Sequence, residues 1–174
     1  MKDWSYLFDI GIPNTFLFVL LALIGFICLS FSVIEKDVYT TKRKISITSL
    51  VGYVVFVFSS TVLFRPKGQI DNIIWIPLYS YYEAFCGKYH LLLEIVLNVL
   101  LFVPIGILFY TSQKNKNIIF PVLFAFVISL SIEICQYICG KGLFEVDDVI
   151  HNTLGCFLGY WLCKMALNNK LNNK

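Results

Sequence analysis

Charge is the scarcest property of this chain. Only 14% of its 174 residues are Asp, Glu, Lys or Arg, where a soluble domain carries about 25%. The net charge of +3 comes with no basic stripe, which excludes a nucleic-acid-binding surface. Disorder is excluded as well, because a disordered chain is rich in charge and poor in apolar residues. No glycine-rich phosphate loop, dinucleotide fingerprint or sustained heptad occurs. No zinc-protease helix, phosphatase signature or paired nucleophile and base declares an enzyme. The six cysteines include no C-x-x-C pair, so a zinc or dithiol redox site has no support.

What the chain has in plenty is apolar surface. Hydrophobic residues make up 58% of it, more than a soluble domain of this size can hide. They fall in blocks, and a membrane-crossing helix needs about 20 mostly apolar residues. Five blocks fit, at 15–34, 45–64, 90–110, 118–139 and 149–167. The first two carry no charge. The second is mildly polar through Ser46, Thr48, Ser49, Ser59, Ser60 and Thr61. The expected fold is all-α, a polytopic membrane helix bundle of about five transmembrane helices. A segment 1–14 precedes it, and a polar, fraying tail 168–174 follows. The first block is not a cleaved signal peptide. Lys2 stands against Asp3 and Asp9, so a basic flank is missing, and no small-x-small cleavage site follows.

Short-loop Lys and Arg residues set orientation. Segments 35–44, 111–117 and the tail hold nine of them, and the alternate segments hold five. The excess places the N-terminus outside and the C-terminus inside. Loop 65–89 is then external. It carries Trp75, Tyr79, Tyr81 and Tyr82, residues that favour the headgroup layer, and Pro77 breaks it. It is expected to lie on the surface or to dip in as a re-entrant segment. It serves either as an aromatic anchor or as a lip over a site.

The polar residues of the spans sort to one depth. Glu94 and Asn98, four apart, share a face in the outer half of the third span. Glu133 and Gln136, three apart, do so in the fourth. Asp147, Asp148, His151 and Asn152 open the fifth, and Arg65 follows the second. Ionisable groups in a membrane cost about 2.5–3.5 kcal/mol each on insertion scales and normally face a shared interior. One outward polar pocket is therefore expected, with Arg65 as its counter-charge. One of Asp147 and Asp148 is expected to cap the fifth helix and the other to face the pocket. His151 is either a packing histidine or a ligand.

Other residues point to packing. Pro104 and Gly106 are expected to kink the third helix and free a carbonyl that a neighbour must satisfy. Gly155 and Gly159, with Thr153 nearby, form a small-xxx-small face for close helix contact, within the bundle or between copies. Cys28, Cys135, Cys156 and Cys163 read as small apolar residues. Cys86 and Cys139 both lie near the outer surface, where a bridge is sterically open.

Residues 94–106 (EIVLNVLLFVPIG) resemble the E/N…LFxPxG signature of the VanZ-like membrane proteins. Residues 131–136 (SIEICQ) are similar to that family's S-x-E-x-x-Q helix. Residues 145–159 (EVDDVIHNTLGCFLG) resemble its D-x-x-x-N-T-x-G-x-x-x-G end. Phe64-Arg65-Pro66 and Ile76-Pro77 fit its R…P pattern. The likeness covers about residues 50–165. One departure stands in the loop before Asp147, where members often carry an arginine. Here it reads Gly140-Lys141-Gly142-Leu143-Phe144, with Lys141 as the nearest substitute. The resemblance implies a bacterial cell-envelope protein of the membrane. The family's namesake is associated with reduced susceptibility to teicoplanin, a lipid-tailed glycopeptide antibiotic.

The residues themselves leave three functions open. A non-enzymatic protein would bind a lipid-linked or amphiphilic ligand in the outward pocket. Its partners would be membrane lipid, a lipid-linked cell-wall precursor or the lipoglycopeptide, with no nucleic acid. An intramembrane enzyme would use Glu94, Glu133, Asp147, Asp148 and His151 as acid/base groups. The same carboxylates offer hard oxygen ligands to a divalent cation such as Mg²⁺ or Ca²⁺, although no metal site or other cofactor is specified. A structural or transport bundle would use the polar groups only for buried hydrogen bonds, and no inverted repeat supports transport.

Overall fold

The computed structural model describes residues 38–65 and 73–172. The segment 1–14 and the expected span 15–34 lie outside the described residues.

Helix α1 runs Val38–Phe58 and passes into a π-helical turn, Ser59–Leu63. The widening coincides with a Ser-Ser-Thr run. Ser60 Oγ and Thr61 Oγ1 both donate back to the Val57 carbonyl, at 3.0 and 2.7 Å. Such back-bonding competes with the regular ladder at the point where it loosens. Beyond the loop, two residues form β1, Ile73–Ile74, and a short helix α2 spans Tyr79–Phe85. Two long apolar helices follow, α3 at His90–Ser112 and α4 at Ile119–Ile138. Strand β2, Phe144–Glu145, leads into α5, Val146–Asn172.

The helical bundle agrees with the expected fold class. By length and composition, three described helices can cross a membrane: Thr41–Leu63, His90–Ser112 and Ile119–Ile138. They coincide with the expected spans 45–64, 90–110 and 118–139. The expected span 149–167 lies within α5. That helix is long enough, but its polar first turn and Lys164 leave it below the same apolarity. It also continues through most of the stretch expected to fray, where neither Gly nor Pro interrupts it.

Helix α5 packs most intimately on α3, and glycine is the reason. A Cβ at Gly155 would lie 2.1 Å from the Val99 carbonyl oxygen, and one at Gly159 would lie 2.0 Å from that of Val103. Gly106 reciprocates, because its Cβ would lie 2.0 Å from the Cys156 carbonyl oxygen. The small-residue face thus joins two helices of one chain. Phe102, Ile105 and Phe109 of α3, Val57 of α1, Ala125 and Ile132 of α4, and Cys156 and Tyr160 of α5 close the apolar core around this seam.

Pro104 lies inside α3. It supplies no N–H to the preceding turn, so the Leu100 carbonyl loses its usual partner. Tyr53 of α1 donates its hydroxyl to the Leu101 carbonyl at 3.0 Å. That carbonyl stands one residue after the Leu100 carbonyl, whose helical partner the proline removes.

The feature without a sequence signal is a two-stranded parallel pair. Ile73 lies opposite Phe144, and Ile74 opposite Glu145. It brings the lead-in to α2 against the loop before α5. The Trp75 and Phe144 rings add a contact at 5.1 Å between centroids. The turn after α4 is equally defined. Gly140, at φ +71°, donates to the Tyr137 carbonyl, and Lys141 N–H donates to the Gln136 carbonyl at 2.8 Å. That is the Schellman closure, and its left-handed position suits glycine.

Candidate polar site at one end of the bundle

One end of α3, α4 and α5 collects the polar residues. Asp148, in the first turn of α5, accepts a 2.7 Å hydrogen bond from Asn98 Nδ2 of α3. Glu133 of α4 is buried, and its Oε2 accepts the Glu145 backbone N–H at 3.0 Å. Gln136, one turn on, donates Nε2 to the Thr61 carbonyl at 3.0 Å. Asn152 donates to Ser129 Oγ at 2.8 Å, joining α5 to α4. The amide oxygens of Gln136 and Asn152 are buried and have no hydrogen-bond partner among the described residues.

The last carbonyls of the π-helical turn that follows α1 are the second component. A helix leaves its last carbonyls unpaired. Here Lys141 Nζ takes those of Val62 and Leu63, at 2.8 and 2.7 Å, beside the Gln136 bond to Thr61. Lys141 therefore acts as a helix cap and holds the α4–α5 turn against α1. Gly142 follows it. A Cβ there would lie 3.2 Å from Cζ of Arg65 and 3.4 Å from Gln136 Oε1, so Arg65 sits at the same place.

Arg65 is the positive charge that Glu133, Glu145 and Asp148 all feel. Glu94 is exposed on α3, yet it lies within electrostatic reach of Glu145 and Asp148. Burial pushes the Glu145 carboxyl above its ordinary range, and the like charges of Glu94 and Asp147 add to this, while Arg65 opposes it. The site is thus rich in carboxylates with one opposing guanidinium.

Two expected site residues face elsewhere. Asp147 is buried, and its carboxylate receives the backbone N–H groups of Leu78 and Ser80, at 2.6 and 2.8 Å. It caps α2, where it was expected to cap its own helix or enter the pocket. Leu78 takes φ +65° at this junction. His151 is buried against Tyr81, with Nε2 3.0 Å from the hydroxyl and the rings edge to face. Both residues fasten the loop 73–89 to α5. Cys86 and Cys139 are free thiols. Among the described residues, no three His, Cys, Asp or Glu side chains group as metal ligands.

Sequence reasoning missed Glu145, Ser129 and Tyr81 as members of this arrangement. A signal existed for two of them. Glu145 stands two residues before Asp147, and Ser129 lies four before Glu133 on the same face of α4. Tyr81 had none beyond its aromatic ring.

The family model described as VanZ/LLP1 matches residues 16–167. The chain belongs to the VanZ/LLP1 family. As a VanZ/LLP1 protein, it carries the family-like motifs at three places that meet in space. Residues 94–106 lie on α3, 131–136 on α4, and 145–159 on β2 and α5. It is similar to Protein VanZ of Enterococcus faecium, with 37% identity over 81 residues, 47% of this chain and 50% of the relative. The match thus spans half of that relative's length. No solved structure matches the chain. Family and apolar helices together make this a membrane protein.

Proposed function

We propose that this VanZ/LLP1 protein is a multi-pass protein of the bacterial cell membrane, N-terminus out and C-terminus in. In this role it lowers susceptibility to teicoplanin-type lipoglycopeptides without catalysing a reaction. The polar cluster of Arg65, Glu94, Asn98, Glu133, Gln136, Glu145, Asp148 and Asn152 serves as an outward pocket. It binds the headgroup of a lipid-linked or amphiphilic ligand, such as a cell-wall precursor or the lipoglycopeptide itself, whose tail remains among membrane lipid.

The observation that carries this is the meeting of Asn98, Glu133 and Asp148, from three different helices, with Arg65 within electrostatic reach of both carboxyls. A bundle needing only adhesion would not gather carboxylates, which are costly away from water. The unpartnered amide oxygens of Gln136 and Asn152 supply acceptors for ligand hydroxyl or amine groups. The orientation follows from the excess of Lys and Arg at the other end.

The test is teicoplanin susceptibility of bacteria expressing the chain. Tolerance is expected with the wild-type protein. It should be lost with Glu94→Ala and with Glu133→Ala, at unchanged abundance in the membrane fraction. Full tolerance in an abundant double variant would refute the pocket.

A further inference from the structure

Helix α2 is amphipathic in an inverted sense. Ser80 and Ala84, four apart, form its buried face, at 6% and 2% exposure. Its large residues point away from the bundle. Tyr82 and Phe85, three apart on the helix, are 64% and 86% exposed, and Leu78 and Tyr89, which flank it on either side, are 61% and 72% exposed. Trp75 and Ile76, in the lead-in, are each 65% exposed. In water this stripe would be a liability, because large contiguous apolar patches are rare on soluble surfaces.

We infer that this stripe seats in the headgroup layer of the bilayer, making α2 and its lead-in an interfacial lid over the polar end of the bundle. Three observations select lipid as the occupant. The stripe is continuous with exposed Leu92, Leu93 and Val96 at the start of α3, a helix apolar enough to cross the membrane. Its composition is Trp, Tyr and Phe with aliphatic neighbours, the mixture that prefers the boundary between headgroups and acyl chains. Its charge is low and paired, since exposed Lys88 forms an ion pair with Glu83 on the same short segment. The underside of the lid is held by protein. Asp147 grips its N-terminal amides, Tyr81 meets His151, and β1 pairs with β2. One face of the segment therefore docks on the bundle beside the site and the other faces lipid. A headgroup can then reach the polar cluster sideways from the membrane. This seat needs the chain to span a bilayer and does not depend on the ligand assigned above.

The test uses the full chain in phosphatidylcholine–phosphatidylglycerol vesicles, with Trp4→Phe and Trp161→Phe leaving Trp75 as the reporter. Bromine near the headgroup end of the acyl chains should quench Trp75 several-fold more than bromine near the chain ends. Acrylamide in the water should quench it several-fold less than after denaturation. A second reporter, Phe85→Trp with Trp75→Phe added, should behave alike and covers a failure of the first variant to fold. Full acrylamide access without bromine quenching would place the stripe in water. Protection from both quenchers would place it against another segment or a second copy. Strongest quenching by deep bromine would make it re-entrant. Each of these three results overturns the interfacial seat.

Discussion

The carboxylate of Asp147 holds the backbone N–H of Ser80 at 2.8 Å, across 67 residues of chain. The same group takes the N–H of Leu78 with its other oxygen. An unpaired N-terminal amide needs an acceptor, and an acid there also meets the positive end of the helix dipole. Asp147→Ala leaves both amides without a partner. The expected loss is about 1–3 kcal/mol, the usual cost of stranding buried donors. Asp147→Asn keeps one acceptor oxygen and should fall between. Hydrogen exchange at Leu78 and Ser80 is the measurement. It should quicken most in the alanine variant, with α3 and α4 unchanged, and equal protection in all three proteins would show that the latch is not formed.

The seam between α3 and α5 predicts a packing cost. A methyl at Gly159 would meet the Val103 carbonyl at 2.0 Å, a distance that backbone cannot yield to locally. The helices must separate, and the neighbouring contacts of Gly155 and Gly106 would loosen with them. Gly159→Ala is expected to cost on the order of 1–3 kcal/mol, the range for overpacking. Thermal unfolding in detergent should show a lower Tm for Gly159→Ala. An unchanged Tm would contradict the close approach.

Much of this arrangement was legible in the sequence because it rests on local pattern. Apolar blocks gave the spans of α1, α3 and α4, and i, i+3 or i, i+4 spacing put Glu133 with Gln136 and Glu94 with Asn98 on shared faces. The glycines of the α3–α5 seam were legible for the same reason. The roles of Asp147 and Lys141 were not. Each caps a helix more than 60 residues away, and capping residues are recognised from sequence only beside their own helix. Asp147 looked like a cap for α5 because it precedes that helix. Its partner α2 carries its aromatics outward, so no buried-face pattern marked where α2 would dock. The β1–β2 pair is two residues long, too short for alternation to reveal.

Glu145 predicts a pH dependence with a definite sign. Burial, then Glu94 and Asp147, raise its carboxyl above the ordinary 4.5, against Arg65. The folded protein therefore holds this proton at pH values where the unfolded chain has released it. With fewer protons on the unfolded state, stability falls as pH rises from about 4.5 towards the folded value. Glu145 is one of several carboxyls gathered at this end of the bundle. Glu145→Gln removes one of them. It should raise Tm at neutral pH and flatten the fall in stability over that interval. A slope equal to that of the wild type would assign the dependence to the other carboxyls.

The Asn98–Asp148 bond ties α3 to the first turn of α5, at the mouth of the carboxylate cluster. Side-chain hydrogen bonds between membrane helices average about 0.6 kcal/mol and reach about 1.7. Asn98→Ala alone leaves the carboxylate beside Glu133 and Glu145 without its amide donor, so it should cost more than the bond itself. Asp148→Ala removes a carboxyl that burial makes costly together with the same bond, so it should cost less. A double-mutant cycle on unfolding in detergent separates these effects, with a coupling of about 0.6–1.7 kcal/mol expected. Additive single-variant effects would mean that the two side chains do not meet, and the polar residues of α3 would then be unconnected to those of α5.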